Sequence, residues 1–115
     1  MTLRAERRDG EGHPVVAVHG DLDVDGAPEL RRALVEAIDE HPGRQLILDL
    51  EGVDFIDSAG LGMLVAGLKR AKDRGGDLVL VATGQNVLRI LEVTGLTRVF
   101  EIRKSGASRP GRGRS

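Results

Sequence analysis

No cysteine occurs in the 115 residues, which excludes disulfides, thiolate zinc sites, iron–sulfur clusters and a cysteine nucleophile. Tryptophan and tyrosine are absent as well, and the aromatic complement is Phe55 and Phe100. That leaves no material for base-stacking platforms or an aromatic sugar-binding floor, so the core must be aliphatic. No run approaches the roughly 20 apolar residues that a membrane-spanning helix needs, and the charged stretch Met1–Gly12 contains no apolar segment of the signal-peptide kind. A cytoplasmic chain that neither enters a membrane nor needs a cofactor is the expectation. Charge of one sign is missing where the other collects: Arg103–Ser115 holds five basic residues and no acid and carries +5, whereas residues 1–102 carry −6. An acidic body has no basic face with which to grip phosphate backbones, so no direct nucleic-acid partner is expected. The length allows one domain with one core.

What is present reads as alternating strands and helices. Leu3–Arg8 is a strand candidate, and the glycines of Asp9-Gly10-Glu11-Gly12 suit a hairpin turn into a second strand, Pro14–Gly20. Ala27–Glu40 places Ala27, Leu30, Leu34, Ala37, Ile38 and His41 on one helical face, with Asp25 as its N-cap and Pro42-Gly43 as its stop. Gln45–Leu50 is a strand, followed by a short acidic connection and Phe55-Ile56. A second helix opens at Asp57 or Ser58, turns Leu61, Leu64, Val65, Leu68 and Ala71 to one side, and breaks at Gly75-Gly76. Leu78–Ala82 is a strand covered on both faces, Gln85–Thr94 a short helix with Val87, Leu88 and Leu91 inward, and Val99–Ile102 a last strand. The order β-β-α-β-α-β-α-β predicts an α/β fold: a single domain over residues 1–103, with a mostly parallel sheet, one antiparallel edge strand and packed helices. Residues 104–115, a basic Gly/Arg tail with little apolar material, read as disordered.

Three segments offer chemistry. Asp21-Leu22-Asp23-Val24-Asp25-Gly26 has the opening of a calcium loop, but the bidentate carboxylate needed six residues after the glycine is replaced by Arg32. Asp49, read as the carboxyl end of a buried strand, invites comparison with an aspartyl phosphoacceptor, with Asp21, Asp23 and Lys104 as supporting groups; the adjacent acidic pair such a site needs is missing. The third segment, Asp57-Ser58-Ala59-Gly60-Leu61-Gly62, puts two glycines into the first turns of a helix. Each costs roughly 1 kcal/mol against alanine there, so local stability does not account for them, whereas bare backbone open to close approach does. Ser58 at a helix N-terminus reads either as a cap or as a phosphorylation site that the helix dipole tolerates, and spacing alone leaves both open. A hydrolytic role for Ser58 lacks a credible base, because His13 falls in the turn, His41 at a helix end, and His19, though near a strand end, has no visible orienting partner in the sense a triad needs.

At these residues the chain resembles the STAS-domain family, specifically the bacterial anti-sigma factor antagonists. Gly20-Asp21-Leu22-Asp23 is similar to the family's G-E-L-D strand end, with aspartate where glutamate is common. Asp57-Ser58-Ala59-Gly60-Leu61-Gly62 is similar to its D-S-[SAT]-G-L-G phosphorylation loop. Thr94-Gly95-Leu96 and Phe100 resemble its closing elements, and the tail after Lys104 has no counterpart. The resemblance implies a protein without catalytic activity of its own. Unphosphorylated, it would bind an anti-sigma factor that is an ATP-dependent serine kinase and so free a sigma factor. Phosphorylation of Ser58 would release it, and a serine phosphatase would restore it. Asp21, Asp23, Asp57, Ser58, Ala59, Gly60, Leu61 and Gly62 are the partner-binding positions so implied. A STAS regulatory module outside sigma control, and an aspartyl phosphoacceptor at Asp49, are the alternative readings.

Overall fold

The computed structural model describes residues 3–8 and 12–104. Residues 9–11 of the expected Asp9–Gly12 turn and the tail from Ser105 onward lie outside the described residues. Strands β1 (Arg4–Arg7), β2 (Val15–Leu22), β3 (Gln45–Ile56), β4 (Asp77–Val81) and β5 (Glu101–Arg103) form one sheet in sequence order. The β1–β2 pair is antiparallel and the remaining pairs are parallel. Each parallel pair is joined by a helix: α1 (Ala27–Glu40), α2 (Ser58–Asp73) and α3 (Gln85–Val93), the last followed by a 3₁₀ turn, Leu96–Arg98. That is the expected architecture, since parallel neighbours need a crossover and a helix supplies it.

The core is leucine-rich, as the missing aromatics require. Leu22, Leu30, Leu34, Leu46, Leu48, Leu50, Leu64, Leu78, Leu80 and Leu91 are fully buried, and Phe100 is the single buried aromatic. Helix α1 packs on α2, and Arg70 of α2 donates two hydrogen bonds to Asp39 Oδ1 and one, at 2.8 Å, to Oδ2. That bonding, with the nearby Arg74 guanidinium 3.2 Å from the same carboxylate, holds Asp39 below the ordinary aspartate pKa.

Four expectations are corrected. The strand beginning at Gln45 does not stop at Leu50 but runs on to Ile56. Its pairing with β2 absorbs register shifts between Ala17 and His19 and between Gly20 and Asp21, so Glu51–Asp54 stays in the ladder instead of forming a loop. Gly52 makes this possible, because a Cβ there would lie 2.4 Å from His19 Nδ1. Asp49 is therefore an internal strand residue, its side chain 15% exposed and its Oδ2 3.6 Å from Arg8. Asp25 does not cap α1: the cap position is Gly26, without a side-chain bond. Asp23 does the local work, accepting from the Asp25 and Gly26 amides at 3.1 and 2.9 Å. Finally, Val65 points outward, and Gly67 takes a buried place on α2 against Leu34 and Leu78.

Candidate functional site

Strands β2 and β3 end side by side, because Leu22 and Ile56 are register partners. The residues that follow each end are therefore neighbours. The Asp57 amide donates to the Leu22 carbonyl at 3.1 Å, and the Asp57 carboxylate does two further things. Its Oδ1 accepts from the Gly60 amide at 3.0 Å, capping α2, while its Oδ2 accepts from the Val24 amide at 3.2 Å. One side chain thus satisfies an orphan donor of the helix start and fastens the β2–α1 loop to it. With Asp23 folding that loop on itself, the two aspartates that sequence spacing singles out set the shape of the surface.

Ser58 is the first residue of α2 and is exposed. The choice between cap and modification site, open in the sequence, is decided as to the cap: Asp57 fills that position. The Ser58 hydroxyl makes no hydrogen bond to another described residue. It faces solvent at the positive end of a 16-residue helix, where added negative charge is electrostatically favoured. The outward stripe below it is Ser58, Gly62, Val65, Ala66 and Lys69, at the spacing of one helical face.

The two glycines of the loop divide the work. A Cβ on Gly60 would stand 2.3 Å from the Leu22 carbonyl oxygen and 2.7 Å from Leu22 Cγ, whereas Gly62 has open space around its Cβ position. Gly60 is buried because the helix start rests on the end of β2, so its bareness serves the fold. Gly62 is the one that leaves bare backbone on the surface. Ala59 and Leu61 are half-buried, with Leu61 packed against the core, and Asp21 is half-buried near the end of β2.

Sequence reasoning missed the apolar members of this end. Val24 is 66%, Phe55 49% and Val65 42% exposed. Val24 follows Asp23, Phe55 precedes Ile56 at the end of β3, and Val65 lies seven residues along the helix from Ser58. The available signal was helical spacing from Ser58, which places Gly62 and Val65 on its face. Removing the shared cap tests the geometry. Asp57→Ala is expected to lower stability by about 1–2 kcal/mol, with Val24 and Gly60 amides losing hydrogen-exchange protection ahead of the β3–β4 ladder; unchanged protection at both amides contradicts the shared-cap account.

Among the described residues no group of three or more histidine, aspartate or glutamate side chains is arranged to hold a metal, and no helix is long and apolar enough to cross a membrane. In the Asp21–Gly26 segment, Asp23 Oδ1 is occupied by backbone amides, and Arg32 is bonded to Glu29 and Glu36.

A succession of strand and helix with a solvent-facing serine heading α2 defines the class: the chain belongs to the STAS domain family, which matches residues 4–108. Within that family it is similar to the anti-sigma-B factor antagonist of Bacillus subtilis (strain 168), 32% identical over 102 residues that span 89% of this chain and 92% of that protein. The crystal structure of an anti-sigma factor antagonist from Mycobacterium paratuberculosis superposes with a TM-score of 0.79 at 31% identity, covering 88% of this chain and 85% of that one. The Bacillus cell fate determinant SpoIIAA in its phosphorylated form shares the fold, with a TM-score of 0.67 at 17% identity over 89% of this chain and 91% of that one.

Proposed function

We propose that this chain is an anti-sigma factor antagonist: a binding module, not an enzyme, whose unphosphorylated form captures an anti-sigma factor and whose release is set by phosphorylation of Ser58. The partner would be an ATP-dependent serine kinase, and capture would free the sigma factor it holds. The observation that carries the reading is the uncommitted Ser58 hydroxyl on an exposed helix start, available because Asp57 does the capping. In the modification, Ser58 Oγ takes the γ-phosphoryl group of ATP, loses its proton, and ADP departs. A partner serine phosphatase returns the hydroxyl by hydrolysis.

The surface around Ser58 explains why such a mark would release a partner. Val24, Phe55, Val65 and the bare backbone at Gly62 offer an apolar contact area beside Asp21, Asp23 and Asp57. A phosphoryl group adds about −1.5 to −2 charges, and trapping it against apolar surface carries a desolvation penalty. The fold itself tolerates the mark, since it lies in solvent at the helix N-terminus.

Incubation with the cognate anti-sigma factor and ATP, followed by phosphopeptide mapping, tests this directly. Label on Ser58 and none on the Ser58→Ala protein is the expected result; label elsewhere, Asp49 included, overturns it. The apolar contact is tested separately. Phe55→Ala is expected to weaken the partner's affinity about 10–100-fold, the range of an interface anchor, with a smaller loss of stability than a buried phenylalanine would give, because the ring is half outside. Val93→Ala, more exposed still but on α3, serves as the control and leaves affinity as it was.

A further inference from the structure

Among the described residues, the exposed large apolar side chains fall into two groups. Val24, Phe55 and Val65 belong to the Ser58 end, whereas Val93 and Val99 lie in the stretch from the end of α3 into β5. Strand β5 is also an edge strand: it pairs with β4 alone, so one side of its backbone has no partner strand. Beside it a groove of about 400 Å³ is lined by Leu88, Glu92, Thr97, Ile102 and Lys104.

One bond fixes the direction of each backbone group on β5. The Ala82 amide donates to the Arg103 carbonyl at 2.9 Å, so Arg103 turns its backbone groups toward β4, and so does Glu101, two residues back along the strand. Ile102, between them, turns its N–H and C=O to the open edge. Its side chain packs against the core and shares the groove with Leu88. The side chains of Glu101 and Arg103 stand together on the opposite face, where Arg103 Nε donates to Glu101 Oε2 at 2.8 Å. Charges on an edge strand commonly discourage the addition of another strand. Here the order is acid, apolar, base, with the free backbone groups on the apolar residue, and a two-fold axis at Ile102 maps that order onto its complement. Ile102 then exchanges both N–H···O bonds with its copy, Glu101 comes opposite the copy's Arg103, and Arg103 opposite the copy's Glu101. The other edge, β1, lacks this symmetry. The Arg8 amide donates to the Val15 carbonyl, so Ala5 and Arg7 face outward there. An axis at Arg7 sets that cation against its own copy, and an axis at Ala5 sets Arg7 opposite Leu3.

We propose that the open edge of β5 takes a second copy of this chain, antiparallel and in register at Ile102, joining the two five-stranded sheets into one. The contact uses the same surface on both copies and closes on itself, so it makes a dimer and not a filament. The two-fold axis stands perpendicular to the sheet, which puts both Ile102 side chains, and the two grooves beside them, on one face. The copies run in opposite directions, and Ser58 lies at the end of β3, two strands from the contact, so both Ser58 ends stay open. Three residues of strand give a small contact, and the dimer is accordingly weak and concentration-dependent.

Sedimentation velocity of the full-length chain from about 10 μM to about 1 mM is expected to show a reversible monomer–dimer equilibrium, with hydrogen exchange at the Ile102 amide slowing as the dimer forms. Glu101→Arg and Arg103→Glu each bring like charges opposite one another across the axis and are expected to weaken association about 10-fold. Mixing the two variants restores it, because every cross-strand pair is again acid with base. The double variant Glu101→Arg/Arg103→Glu, which reverses the order but keeps it complementary, dimerises like the parent. The ion pair within β5 is broken in both single variants, so recovery on mixing reports the contact between copies and not the strand's own stability. A monomer at every concentration, a dimer indifferent to both single reversals, no recovery on mixing, or protection gained at the Ala5 and Arg7 amides instead of Ile102 overturns the pairing. Ser58→Asp is expected to dimerise like the parent; a dimer lost in that variant would place the contact at the Ser58 end and overturn it as well.

Discussion

Gly60→Ala is expected to destabilise the domain by about 2–3 kcal/mol, the cost of forcing atoms into a packed site, even though alanine is by about 1 kcal/mol the better helix former. The added methyl would meet a backbone carbonyl, that of Leu22, at 2.3 Å, and a strand end in a five-stranded sheet cannot step aside as a flexible side chain would. A loss of this size lowers the melting temperature by roughly 10–20 °C in a domain of this length. Gly62→Ala is the matched comparison, two residues along the same helix with open space at its Cβ position. Its melting temperature should hold or rise by a few degrees, while its affinity for the partner falls, because the methyl stands on the contact surface. Thermal unfolding of the two proteins side by side checks the pair; equal melting temperatures would mean that Gly60 is not pinned against β2.

The second large effect is on binding. Ser58→Asp, which fixes a charge at the start of α2, is expected to weaken capture of the anti-sigma factor by about 100-fold, or about 2.7 kcal/mol. Ser58→Ala should bind within about threefold of the unmodified chain, since the hydroxyl makes no hydrogen bond within the described fold. Both proteins should melt close to the parent: position 58 is exposed, and the capping bond belongs to Asp57. Titration calorimetry with the partner gives the affinities, and equal weakening by the two substitutions would show that the serine is a contact and not a switch.

Much of this was legible in the residue order because the relevant signals are local. Apolar spacing places α1, α2 and α3, and three crossovers between apolar strands leave little choice but a parallel sheet. The continuation of β3 to Ile56 was not legible. Glu51, Gly52 and Asp54 have the composition of a turn, and what keeps them in the ladder is a register shift in β2 together with the room that Gly52 leaves for His19, a relation between distant residues. The cap of α1 was misplaced for a similar reason: Asp25 is a favoured cap type, but the cap position falls on Gly26 and the loop amides are taken by Asp23.

The site shows the same division. Asp57, Ser58 and the glycines stand out from the sequence because their types are unusual at a helix start. Which glycine serves the fold and which the surface depends on Leu22, some 38 positions earlier. Val65 fits the inward pattern by identity and the outward one by position, and the packing of Gly67 against Leu34 settles it. Phe55 gave no signal beyond being one of two aromatics, yet it is half exposed beside the helix start while Phe100 is buried.

The central claim is that phosphate on Ser58 alone sets whether the partner is held. It is tested most directly by measuring the affinity of the anti-sigma factor for one preparation in three states: unmodified, phosphorylated at Ser58 by the kinase and ATP, and dephosphorylated again. Tight binding, loss of roughly 100-fold or more, and full recovery are the predicted sequence. Equal affinity in the first two states, or failure to recover once the phosphate is gone, would contradict it.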